Sequence, residues 1–113
     1  IEKIVATEHV PGTSATLLIR GEFLPLEQTV ANANLFSAYQ SAARQIGLKL
    51  EGEFTGGCAD SGFTSALGTP TVCATGPVGG LAHTPEEYMV VDSLVPRAQT
   101  LALAVVSTQP NRA

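Results

Sequence analysis

Between Thr29 and Phe54 the apolar residues change their period at a glycine, and that switch confines the chain to folds that mix helices with strands. Leu35, Phe36, Tyr39, Ala42, Ala43 and Ile46 recur at three- and four-residue steps, one face of a helix. Gly47 stands where the residue past a helix end turns left-handed. Beyond it Leu48, Leu50, Gly52 and Phe54 alternate with Lys49, Glu51 and Glu53, the two-residue period of a strand with one wet face.

The rest of the chain repeats this alternation. Residues 1–7 carry a helical face at Ile1, Ile4 and Val5, closed by His9-Val10-Pro11-Gly12. So short a helix is marginal in water, so the pattern reads as the last turns of one that starts before Ile1. Thr13 to Phe23, rich in Thr, Leu and Ile, reads as a strand, with Gly21 marking its end or a bulge. Asp60 is placed to cap a short helix through Phe63, Ala66 and Leu67 that Gly68 and Pro70 end. Thr71 to Thr75 suits a buried parallel strand. Thr84-Pro85-Glu86-Glu87 has capping-box spacing with proline at the first helical position, and Asp92 is placed to cap a last helix running through Val105 to Gln109-Pro110-Asn111. Strand, helix, strand, helix, strand, helix predicts α/β layering around a partly parallel sheet, without internal repeats.

Composition narrows the function. With 113 residues the chain is at most one domain, and charged residues are 14%, against about 25% in typical soluble domains. Together with 44% hydrophobic residues and a mean hydropathy of +0.21, this predicts that much of the surface meets other protein. A net charge of -4 with no Lys or Arg run argues against nucleic acid as a partner. Arg20, Lys49, Asp60, His83 and Arg97 interrupt every apolar stretch, so no membrane span is expected. No targeting pattern stands at Ile1. Cys58 and Cys73 form no CxxC pair and read as small packed side chains.

Chemistry is sparse. Thr55-Gly56-Gly57-Cys58-Ala59-Asp60 brings backbone N–H groups toward a helix start, which serves either an anion or merely a tight strand-to-helix connection. His83 follows a glycine-rich loop, a position open to a structural role, acid/base work or metal ligation. No HxxxH, HxD or CxxC accompanies it, and a catalytic zinc needs about three protein ligands. Ser61 lacks the G-x-S-x-G setting of a hydrolase nucleophile, and a capping box accounts for Glu86 and Glu87, so no catalytic residue is assigned.

In order along the chain, TGGCADSGF (Thr55 to Phe63), TPTVCATGPVGGLAHTPEEY (Thr69 to Tyr88) and VVDSLVPRAQTLALAV (Val90 to Val105) resemble the C-terminal part of the co-catalytic zinc peptidases. That family includes glutamate carboxypeptidases, aminoacylases, acetylornithine deacetylases and succinyl-diaminopimelate desuccinylases. The resemblance implies an aminopeptidase-like αβα catalytic domain interrupted by a ferredoxin-like lid that forms a homodimer contact. Residues 1–23 then correspond to the last helix and strand of the lid, and 24–113 to the C-terminal part of the catalytic domain. His83 falls on the family's last ligand to one of two zinc ions, with Co2+ or Mn2+ as alternatives. Gly56 and Gly57 fall on the glycine turn lining the substrate pocket, and Asp60 on an acidic position after it. Cys58 and Ala59 replace small or hydroxyl residues common there, which removes a possible hydroxyl contact.

The remaining ligands, the bridging aspartate and the general-base glutamate have no counterpart here. The expectation is therefore a segment of a metal-dependent hydrolase that cleaves an N-acyl amino acid or removes a C-terminal residue. It would be inactive alone, complemented by the N-terminal part of the same enzyme, and cytoplasmic or periplasmic. Two rivals stand beside it: a non-catalytic α/β interaction module without metal, and an anion-binding domain using Gly56 and Gly57.

Overall fold

A computed structural model of the chain describes residues 1–108. It is a mixed α/β structure with α1 at Glu2–Val5, α2 at Val30–Gln45, α3 at Ser61–Ala66, β1 at Gly79–Gly80, β2 at Tyr88–Met89, a 3-10 turn at Val91–Ser93, and α4 at Leu94–Thr108. The proline-asparagine exit at 109–111 lies outside the described residues.

The core is the seam between α2 and α4. Tyr39, Ala42 and Ala104 are buried together, with Leu50 and Leu103 half-buried against them. Ala43 and Thr100 are wholly covered, and such small side chains let the two helices approach closely. Thr100 satisfies its hydroxyl within α4 by donating to Pro96 O at 2.9 Å.

Helix ends follow local rules. Thr29 caps α2, its Oγ1 accepting the Asn32 N–H at 3.1 Å. At the other end Gly47 takes φ 75°, its N–H donating to Arg44 O at 3.0 Å while Leu48 N–H donates to Ala43 O at 3.0 Å. This is the paired closure that a left-handed residue past the helix end permits. Gly68, φ 83°, ends α3 in the same way, with Gly68 N–H on Ser65 O and Thr69 N–H on Thr64 O.

The segments expected as strands depart from expectation. Residues 13–23, 48–54 and 71–75 have no ladder partner, and the one sheet among the described residues is the antiparallel pair β1–β2. A strand exists only through a neighbour, and nothing described here supplies one. The two-residue alternation still acts on its inner face. Leu48 and Leu50 are half-buried, Lys49 and Glu51 are exposed, and Gln40 Nε2 holds Leu50 O at 2.9 Å. Phe54 escapes the pattern and is 88% exposed. Cys58 and Cys73 are likewise exposed rather than packed, because the layers that would cover them are not formed.

A second node joins the ends of this arrangement. Asn32, buried in the first turn of α2, donates from Nδ2 to Glu27 O at 2.7 Å and to Ser65 Oγ of α3 at 2.8 Å. Its Oδ1 accepts Thr71 N–H at 2.8 Å. Phe23 meets Phe63 of α3 at 5.6 Å between ring centroids. Gly62 of α3 lies so close to the Leu24 backbone that an added Cβ would fall 1.7 Å from Leu24 O.

The whole is open. Its surface is 9259 Å2, against about 5,900 Å2 for a compact globule of this mass. Its radius of gyration is 20.0 Å, against about 13 Å for a compact chain of this length.

Candidate functional site

Two loops carry the residues singled out in the sequence. Gly56, Gly57 and Asp60 are exposed on the connection from residues 48–54 to α3. Gly57 N–H donates to Thr55 Oγ1 at 2.9 Å, so one amide of the glycine turn is already used. Asp60 does occupy the N-cap position of α3, yet its side chain makes no capping bond, because its own φ of -60° and ψ of -19° are already helical. Its carbonyl accepts Phe63 N–H at 3.0 Å instead.

His83 sits exposed in the loop that joins β1 to β2. The helix expected from Thr84-Pro85 is absent, because residues 81–87 must reverse the chain so that Gly80 meets Tyr88. The capping residues are spent on turns. Thr84 donates its N–H and its hydroxyl to Leu81 O, at 3.2 and 2.7 Å, and Glu87 N–H donates to Thr84 O at 3.1 Å. Leu81 and His83 take φ of 56° and 67°, left-handed values that cost a non-glycine residue about 1 kcal/mol or more. His83 N–H donates to Glu87 Oε2 at 3.3 Å.

The base of this hairpin is shaped by two glycines. A Cβ on Gly79 would lie 2.6 Å from Tyr88 O, and one on Gly80 would lie 2.8 Å from the Tyr88 hydroxyl and 2.9 Å from its ring. The Tyr88 ring thus covers the bare backbone of Gly80 opposite it. Val90 N–H on Val78 O, 2.8 Å, extends the pairing, and Ser93 Oγ accepts Val78 N–H at 2.8 Å, tying the hairpin to the start of α4.

A hollow of about 320 Å3 lies against the hairpin beside Gly79, Gly80, Ala82, Glu87 and Tyr88. A groove of about 570 Å3 runs between residues 48–53 and the start of α4, with Leu48, Leu50, Val78 and Pro96 among its walls. Neither hollow is lined by His83, Gly56, Gly57 or Asp60. Among the described residues, no hydrogen bond joins the two loops. Among the described residues, no three His, Cys, Asp or Glu side chains converge as a metal site.

The sequence profile of Peptidase family M20/M25/M40 matches residues 17–107, a span that includes both loops, α2 and most of α4. The chain belongs to this family. M20/M25/M40 membership makes it part of a family of hydrolases, metallopeptidases that generally depend on zinc. Comparison with curated proteins and with solved structures finds no match.

Three residues that shape the hairpin are not legible as such in the sequence: Glu87, Gly79 and Gly80. Glu87 reads in sequence as a cap, and its contact with His83 follows only once residues 84–87 are seen to turn. The Gly79-Gly80 pair reads as loop. Its signal, an aromatic residue eight positions on, has meaning only when the register is known.

Proposed function

We propose that this chain supplies one metal ligand, His83, and part of the pocket wall, Gly56, Gly57 and Asp60, of an amide-cleaving M20 metallohydrolase. The substrate class is an N-acyl amino acid or the C-terminal residue of a peptide. The observation that carries the reading is the family match across the loop holding His83, an exposed imidazole on a turn fixed at both ends.

The donor set sets the limit of what these residues do. Among the described residues no three His, Cys, Asp or Glu side chains converge, so His83 fits as one donor of a centre shared with residues outside this chain. A metal held there with His83 among its ligands would supply Lewis-acid polarisation of an amide carbonyl and activation of water. The residues of this chain orient and enclose: His83 would hold the ion through its imidazole, and the exposed glycine turn would let substrate approach the backbone. The remaining ligands and the base come from the N-terminal part of the same enzyme. Residues 1–23 belong to a lid, and the complete enzyme is a homodimer of the cytoplasm or the periplasm.

Calorimetric titration of the 113-residue chain with zinc, beside His83→Ala, tests this. Weak binding, lost in the variant, is the expected result. Tight stoichiometric binding would mean that the chain assembles a whole site. Binding unchanged in His83→Ala would remove His83 from the metal and overturn this reading.

A further inference from the structure

We propose that Glu87 is a positioning residue for His83: its carboxylate accepts the His83 backbone N–H and so holds the left-handed turn on which the imidazole is presented. The inference rests on the reading of His83 as a metal ligand, and it concerns how that ligand is held.

Two left-handed non-glycine residues within three positions, Leu81 and His83, do not persist unless their surroundings fix them. Leu81 is fixed through its carbonyl, which takes both donors of Thr84 at 2.7 and 3.2 Å. Those bonds close the turn from 81 to 84 but leave the His83 N–H unused. Among the described residues its acceptor is Glu87 Oε2 at 3.3 Å, four residues on, and Glu87 N–H is itself anchored on Thr84 O at 3.1 Å. Glu87 stands next to Tyr88, whose ring covers Gly80 and pins the strand end from which the carboxylate reaches back. A hydrogen bond to an ionised acceptor is stronger than a neutral one, and here it spans the four residues from Glu87 back to His83. The loop is thus clamped twice, by Thr84 on Leu81 and by Glu87 on His83.

A gap filler would act differently. Glutamine keeps an acceptor oxygen at the same reach, whereas alanine keeps none, so Glu87→Gln and Glu87→Ala separate the hydrogen bond from the loss of side-chain bulk. The measurement is amide hydrogen exchange by NMR on the full chain, with the Ala42, Ala43 and Thr100 amides of the α2–α4 core reporting that each variant is folded. The His83 amide is expected to exchange roughly tenfold faster in Glu87→Ala, as the loss of one charge-assisted bond implies, and to be restored most of the way in Glu87→Gln. An unchanged His83 amide in Glu87→Ala, or equal effects of the two variants, overturns the proposal. Loss of the core amides in Glu87→Ala overturns it as well, since a clamp on one turn does not hold the helices together.

Zinc titration of the same variants supplies the second arm. Binding weakened severalfold in Glu87→Ala but kept in Glu87→Gln is expected. Binding lost in Glu87→Gln while the His83 amide stays protected would make Glu87 a ligand rather than a clamp. Binding indifferent to His83→Ala defeats the ligand reading itself, and the exchange data then still decide whether Glu87 holds the turn.

Discussion

At single positions, backbone crowding decides what the chain tolerates. Gly62 faces the Leu24 carbonyl at a distance no side chain survives, and neither backbone can yield without separating α3 from the segment that precedes α2. Gly62→Ala is expected to cost about 3 kcal/mol, with loss of the Phe23–Phe63 ring contact as the NMR signature. The hairpin offers a graded pair. Gly79→Ala meets backbone, Tyr88 O, and should open the β1–β2 pairing, whereas Gly80→Ala meets the movable end of the Tyr88 ring and should cost about 1 kcal/mol. Equal effects in urea titrations would show that the ring is as rigid as the backbone. None of the three was legible as a packing constraint in the sequence, where Gly62 is one residue of TGGCADSGF and its obstacle lies far back at Leu24. Gly47 and Gly68 were legible as helix ends because their reasons are local.

At the scale of elements, α2 and α4 were readable because a helix completes its own hydrogen bonds and needs only an apolar face to announce itself. The segments at 13–23, 48–54 and 71–75 were readable only as pattern, since their bonds belong to neighbours the sequence of the segment does not contain. The 84–87 helix failed for the opposite reason: local signals were right for a helix start, but the hairpin needed those residues to turn. Asn32 gives the elements their joint. Asn32→Ala removes the acceptor for Thr71 N–H and two donations, and is expected to cost about 2–3 kcal/mol. Exchange of the Thr71 amide is the direct check, and a Thr71 amide still protected in the variant would show that this node does not hold α2, α3 and residue 71 together. Of the candidate site, the position of His83 after the glycine loop was legible; the clamp around it was not, because it depends on which residues face each other across the turn.

Over the whole molecule, the decisive quantity is uncovered surface. An excess of roughly 3,400 Å2 over a compact globule is more than one partner contributes to a standard interface, about 800 Å2. Leu18, Ile19, Phe54, Leu67 and Val106 are all at least two-thirds exposed. The isolated chain should therefore bind an apolar dye and self-associate with rising concentration in sedimentation velocity, through its unpaired segments. A monomer that melts cooperatively and leaves the dye dark would contradict this. The seam between α2 and α4 adds a constraint on biosynthesis. About fifty residues separate the two helices that share the core, and closing so long a loop is repaid only when both are present. During translation α2 therefore waits, its alanine face open, until α4 clears the ribosome.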